Sequence, residues 1–327
     1  MKILLTNPDG GAFYYILRGF RNAFKCLGHT AEFWDGSLNT FDADIYIGSS
    51  GWPQSIPQDR TAKIILHVNP YGSTRLNPIS GVDINESDKA IQWTVKQKPD
   101  FVFGYGLKGD VNEFWDNWIN EFGIPVYGIP PAGDHIIFKP SPDPNFKCDL
   151  AYVGGYWPYK AINIDKYLEP ARKKFGMTIY GWGGWNKRSG GPISDDRVVK
   201  LLSSAKICPC IHEPHTSTYG IDIPERVFKV PLCGSMAICD PSAKLHEYFP
   251  CDTMPMAKNT NEYISLIEYY LKHDIERNNM IKKQRICVLK YHTYLSRIKT
   301  IFAGLGLIEE CIKIQKHIED LVQNERS

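Results

Sequence analysis

The chain has 327 residues, 43% of them hydrophobic, and 38 Lys and Arg against 36 Asp and Glu give a formal net charge of +2. This composition excludes a disordered chain, a collagen and a small disulfide-stapled scaffold, and the length suits two domains of roughly 100–200 residues. No window holds the run of about 18 apolar residues that a membrane helix needs, and the opening MKILLTNPDGG is too short in its apolar run for a signal peptide, so a cytoplasmic protein is expected.

Apolar runs alternate with helical periodicity from the first residue. KILLT (2–6) reads as a strand, followed by the turn Asn7-Pro8-Asp9-Gly10-Gly11; from Phe13 the apolar residues fall at 13, 16, 17, 20, 23, 24 and 27, one face of a helix ending at Gly28. Further strands are predicted over about 30–34, 43–48, 62–68, 100–104 and 125–128, with helices over about 85–97 and 110–122. Residues 139–148, KPSPDPNFKC, carry three prolines in ten positions and are expected to link two domains. The alternation then restarts with strands over 149–155, 177–181, 205–211 and 235–240 and helices near 160–175, 195–204 and from about 223, and beyond about 260 only helices are predicted. The expected architecture is α/β: a Rossmann-like domain over 1–138, a linker over 139–148, and a second Rossmann-like domain over 149–327 ending in a helical region. The part up to 138 holds 11 basic against 15 acidic residues, net −4, and the rest 27 against 21, net +6, so the second half is the better site for an anion. The nine cysteines are scattered without a C-x-x-C and are expected to be reduced core thiols.

Three familiar patterns fail on context. Gly104-x-Gly106-x-x-Gly109 has the spacing of a dinucleotide fingerprint, but no acidic residue closes the next strand. Asp42-Ala-Asp44 precedes its strand instead of closing it, and Pro214 keeps His212 and His215 from sharing a regular helix face, so neither pair is read as a metal site. More informative are the glycine pairs Gly10-Gly11 and Gly154-Gly155, which follow strands where ligands bind in open α/β sheets. In YGIDIPERVFK (219–229), Asp222 as N-cap, Pro224 and Glu225 at N3 predict a helix start with a capping box. Arg226 and Lys229 then lie near the positive end of that helix dipole, a conflict that a bound anion would resolve. Asp9 combines a strand-end position with a glycine-opened loop, which suits a general base; Asp35 and Glu86 lack such a glycine pair.

These segments resemble a known family. DLAYVGGYWPYK (149–160), TIYGWGGW (178–185) and PERVFKVPLCGSMAICD (224–240) are similar to the donor domain of GT-B glycosyltransferases, specifically the spore-maturation-protein-like group found in bacteria and phages. NPDGGAFYYILRGFRNAFKCLGHTAEFWDG (7–36) and HVNPYG (67–72) resemble that group's acceptor domain. The resemblance implies two Rossmann-like domains facing across a cleft, with 1–138 on the acceptor side and 149–327 binding a nucleotide-sugar donor, most readily a UDP-sugar. It implies donor contacts from Gly154, Gly155, Lys160, Asp222, Glu225, Arg226 and Lys229, with Arg226 on the diphosphate, and an acceptor side that includes Gly10, Gly11 and His67. Two departures stand out: Lys229 replaces the glutamate of the family's R-x-F-E segment, leaving Glu225 as the carboxylate for the ribose, and Ile221 stands where the first glutamate of an E-x7-E pattern would fall.

The expected function is metal-independent transfer of a hexose or pentose from a nucleotide diphosphate sugar to an acceptor hydroxyl, with no cofactor, no metal ligands and Asp9 as base. The acceptor is left open among glycan, protein and small molecule, with a modified DNA base as a minority case suggested by phage relatives; a phage-encoded protein would act in the host cytoplasm. A non-catalytic nucleotide-sugar or carbohydrate binding module on the same fold, and a nicotinamide-dependent oxidoreductase resting on the glycine fingerprint, are the alternatives.

Overall fold

Parallel strands buried on both faces read as continuous apolar runs, and the computed structural model, which describes residues 1–8, 10–71, 84–250 and 253–326, places such runs in two sheets. The first contains β1 (Lys2–Thr6), β2 (Thr30–Trp34), β3 (Ile45–Ser49), β4 (Lys63–His67), β5 (Phe101–Gly104) and β6 (Val126–Gly128). All pair in parallel, in the order β2-β1-β3-β4-β5-β6. Its helices are α1 (Gly11–Cys26), α2 (Asp88–Gln97), α3 (Val111–Phe114) and α4 (Asn117–Phe122). The predicted face of α1 is the buried one: Phe13, Ile16, Leu17, Phe20, Ala23 and Phe24 all turn inward. The continuous helix expected over 110–122 is instead broken around Trp115–Asp116, where the Trp115 indole turns under β4 and donates to Val68 O at 3.1 Å.

The second sheet contains β7 (Cys148–Val153), β8 (Thr178–Tyr180), β9 (Ala205–Cys210) and β10 (Met236–Cys239), parallel in the order β10-β9-β7-β8. Around it lie α5 (Pro158–Asn163), α6 (Glu169–Phe175), α7 (Asp195–Ser204), α8 (Pro214–Tyr219), α9 (Arg226–Leu232), α10 (Leu245–Tyr248), α11 (Thr260–Lys272) and α12 (Asp274–Tyr291). A π-turn over Ile164–Leu168 joins α5 to α6; Pro170, without an N–H for the Lys166 carbonyl, follows it.

The last two helices are α13 (Tyr294–Gly304) and α14 (Ile308–Arg326). The chain divides into two units, 1–134 with 294–320 and 135–293 with 321–327. This corrects the expected domain boundaries: α13 packs on α1, with the Tyr294 ring 4.9 Å from Phe20, so residues 294–320 complete the first unit. Residues 139–148 are no free linker either. They lie in the second unit, where Ser141 and Asp143 donate their N–H groups to Ser203 Oγ (3.0 Å) and Ser204 Oγ (2.8 Å) at the end of α7. None of the eight described cysteines is in a disulfide, though Cys26 is exposed. Among the described residues no helix is long and apolar enough to cross a membrane.

Candidate active site

Chain order reverses between β7 and β9: β8 lies on one side of β7, and β9 and β10 on the other. Such a switch point opens a crevice beyond the carboxyl ends of the two strands. Arg226, the first residue of α9, lies across it. Its Nε donates to Val153 O of β7 (2.8 Å), its Nη1 lies 3.4 Å from Ile211 O after β9, and its guanidinium carbon sits 4.4 Å from the centre of the Tyr152 ring. Gly154 makes this possible, because a Cβ there would come within 2.2 Å of Arg226 Nη2. Gly155 admits a second group: a Cβ on it would meet the Trp182 indole at 2.7 Å, and Trp182 is 61% exposed.

A charged and polar cluster surrounds the arginine. Lys160 Nζ donates to Glu213 Oε1 at 2.6 Å, with side chains 6% and 17% exposed. Burial opposes the ionisation of Glu213, but Lys160, His215 and Arg226 together outweigh it and hold the carboxyl below its ordinary range. Behind the pair, Asn163 Nδ2 donates to His212 O (3.0 Å), and Asp240 Oδ1 takes both His212 N (2.9 Å) and His212 Nδ1 (2.6 Å). Tyr159 Oη accepts from His215 N at 3.1 Å, and His215 Nε2 lies 3.2 Å from Asp222 Oδ2.

The structure thus gathers Gly154, Gly155, Lys160 and Arg226 at one switch point, and Asp222 joins them through His215. The predicted capping box does not form. Asp222 has a left-handed φ of +57°, α9 starts only at Arg226, and its N-cap Glu225 makes no side-chain cap bond. Glu225 instead accepts from Lys229 Nζ at 2.8 Å, and that ammonium also lies 4.8 Å from the Phe138 ring centre. The dipole conflict at Lys229 is therefore met by an internal carboxylate. The other declined patterns find structural uses. A Cβ at Gly104 would be 2.1 Å from the Trp115 ring, so that glycine makes room for an indole. Asp44 accepts from Lys2 N and Asp42 pairs with Lys2 Nζ, both at 2.7 Å, which ties the amino ends of β1 and β3. His212 and His215 face different partners, Asp240 and Asp222.

In the first unit the chain order reverses between β1 and β3. Gly10 follows β1 with φ 132° and ψ −159°, a conformation open in practice to glycine alone, and Gly11 has φ +74°. Asp9 lies outside the described residues. His67 ends β4, buried, with Nδ1 3.2 Å from Ser49 Oγ. Asp35 is a turn carboxylate bonded to Ser37 N and Thr40 Oγ1, which hold its pKa low. Glu86 is buried, accepts from Ser50 Oγ (2.5 Å) and Asn69 N (2.9 Å), and burial pushes its carboxyl up.

Glu213, Tyr159, Asp240 and Trp182 escaped the sequence reading. Glu213 carried a signal, an acid between a strand end and the Pro214 that opens α8, but it was hidden inside the paired histidines. Trp182 was flanked by Gly181 and Gly183, the mark of an aromatic held out on a glycine turn.

Residues 165–303 match the family model described as glycosyl transferase-like, a span that contains Glu213, Arg226 and Asp240. Among solved structures, a sucrose-phosphate synthase from Thermosynechococcus elongatus aligns with a TM-score of 0.63 at 10% identity over 94% of this chain and 100% of that one. T4 phage beta-glucosyltransferase, described as a DNA modifying enzyme, aligns with a TM-score of 0.59 at 14% identity over 95% and 99%. TarM from S. aureus, bound to UDP and a glycerol-linked GlcNAc, aligns with a TM-score of 0.54 at 12% identity over 80% of this chain and 55% of its own. No curated protein sequence matches the chain. The architecture is the GT-B fold. The glycosyl transferase-like match over 165–303 lies mostly in the second unit of that fold.

Proposed function

We propose that the chain transfers a hexose or pentose from a nucleoside diphosphate sugar, a UDP-sugar foremost, to an acceptor hydroxyl without a metal, as a member of the spore-maturation-protein-like group. The observation that carries this reading is the Arg226 guanidinium at the β7/β9 switch point beside Gly154. A diphosphate in that crevice would meet a fixed cation, with Lys160 beside it, at a strand end where the backbone is open to close approach. A T4 phage beta-glucosyltransferase structure holds UDP-glucose, which supports UDP as the nucleotide.

In the reaction an acceptor oxygen attacks the anomeric carbon, the bond from that carbon to the diphosphate breaks, and its electron pair leaves with the diphosphate. Asp9 takes the acceptor proton if the reaction inverts. Another T4 phage structure holds UDP with Mn2+. Here the carboxylates Glu213 and Glu225 already pair with Lys160 and Lys229, and Asp222 lies against His215, an arrangement that favours a metal-free mechanism. Cytoplasmic nucleotide-sugar pools suit the expected location.

The test is UDP release from UDP-glucose in EDTA. Turnover should persist in chelator, and Asp9→Asn should lower kcat by about 10²–10⁴-fold with donor affinity kept. Activity lost in EDTA and restored by manganese would overturn metal independence, and Asp9→Asn at wild-type kcat would remove the base.

A further inference from the structure

The β1/β3 switch point carries a second built surface, wholly within the first unit. Trp52 stands in the turn after β3, where its N–H donates to Ser49 O at 3.1 Å, and it keeps 39% of its surface exposed. Its indole lies parallel to the buried Phe13 ring, 4.8 Å away and tilted only 5°. Phe13 lies 5.6 Å from His67, and His67 stacks on Tyr105 at 3.9 Å. An aromatic column therefore runs across the carboxyl ends of β3, β4 and β5 and supports the indole from behind. Phe13 belongs to the first turn of α1, which Gly10 and Gly11 open; among the described residues, leaving out its chain neighbours, a Cβ at either glycine would meet nothing within 4 Å. Space, a rigid aromatic face and a switch point thus coincide.

Among the described residues, the polar groups bonded around this face are Ser, Gln, Thr, Tyr, His and Glu side chains. Ser49 Oγ engages His67 Nδ1 and Gly51 N, and Gln54 Oε1 accepts from Thr6 Oγ1 and Tyr46 Oη, which ties β1 to β3. Among the described residues, the carboxylate bonded to these turns is Glu86, on Ser50 and Asn69. The first unit as a whole holds 15 basic against 19 acidic side chains, net −4, while the second holds 23 against 17, net +6. An anionic donor suits the second unit, whereas a polyanionic acceptor would be repelled by the first.

We infer that the first unit takes an uncharged carbohydrate acceptor, with one sugar ring laid by its C–H face on the Trp52 indole. A pyranose presents an apolar face of C–H bonds, polarised toward the negative face of the ring, while its hydroxyls stay at the rim for neutral polar groups. One of those rim hydroxyls is the nucleophile. This assignment rests on the glycosyl-transfer reading and names its acceptor.

The experiment measures UDP release by the full chain at saturating UDP-glucose with maltose, cellobiose, diacetylchitobiose, heparin or duplex DNA. UDP-glucose affinity is followed separately by calorimetry. At least one neutral saccharide should raise release about tenfold over the acceptor-free rate, and Trp52→Ala should raise its KM by about tenfold or more, with Trp52→Phe recovering most of the loss. Preference for heparin or DNA, no response to any neutral saccharide, or an unchanged KM in Trp52→Ala overturns the inference. If UDP-glucose still binds in those cases, the acceptor assignment alone has failed; if it does not bind to wild type, the transferase reading fails with it.

Discussion

Glu213 and Lys160 show how a single pair shapes the β7/β9 switch point of the second unit. Their 2.6 Å contact is largely out of water, so removing one partner strands the other. Glu213→Gln should cost about 3 kcal/mol at neutral pH, read from urea unfolding midpoints, because the Lys160 ammonium would lose its counter-charge. The pH dependence follows from the depressed carboxyl. Below the unfolded-state value of about 4.3 the unfolded chain takes up a proton that the folded chain still refuses, so this stabilisation is present above that pH and lost as pH falls toward the lower folded value. The gap between wild type and Glu213→Gln should narrow on acidification from pH 6 to about 3; a constant gap would show that the pair does not set the shift. At this scale the placement of Gly154 at a strand end and of Arg226 at a helix start was legible from local sequence, whereas Lys160 was singled out only by the family resemblance. Asp222 and Glu225 were misread because the capping pattern is local, whereas their carboxylates went to His215 and Lys229.

Strands were the most legible elements, since burial on both faces leaves an unbroken apolar run such as KIILH in β4. Helix interruptions were not: the turn at Trp115–Asp116 and the π-turn before Pro170 leave the apolar spacing intact while shifting the hydrogen-bond ladder. The return of α13 to the first unit was invisible for a different reason. Periodicity predicts helices beyond about residue 260, but the partner of Tyr294 is a glycine 275 residues earlier. A Cβ at Gly19 would lie 2.1 Å from Tyr294 Cε2. In an isolated helix Gly→Ala stabilises by about 1 kcal/mol. In this chain Gly19→Ala should destabilise by about 1–3 kcal/mol because the ring cannot yield within a packed interface. Adding Tyr294→Ala should relieve the clash, so the double variant should lose less than the two single losses combined. A Gly19→Ala protein more stable than wild type would contradict the α1–α13 packing.

At the scale of the molecule, two parallel sheets with a switch point in each define the GT-B fold, and the two units carry opposite net charge. The alternation of strands and helices made that class legible from sequence. The identity of the ligands was not, because a fold hosts many chemistries and specificity lies in a few side chains. The central claim is that a nucleoside diphosphate sugar sits at the β7/β9 switch point against Arg226. Calorimetric titration of UDP-glucose into wild type, Arg226→Lys and Gly154→Ala tests it most directly. Arg226→Lys keeps the charge but loses the planar fork that reaches Val153 O, and Gly154→Ala drives a methyl into the guanidinium. Wild type should bind, and each folded variant should bind more weakly by about 10–100-fold, the value of one or two charge-assisted hydrogen bonds. UDP-glucose binding with equal affinity to all three folded proteins would contradict the account.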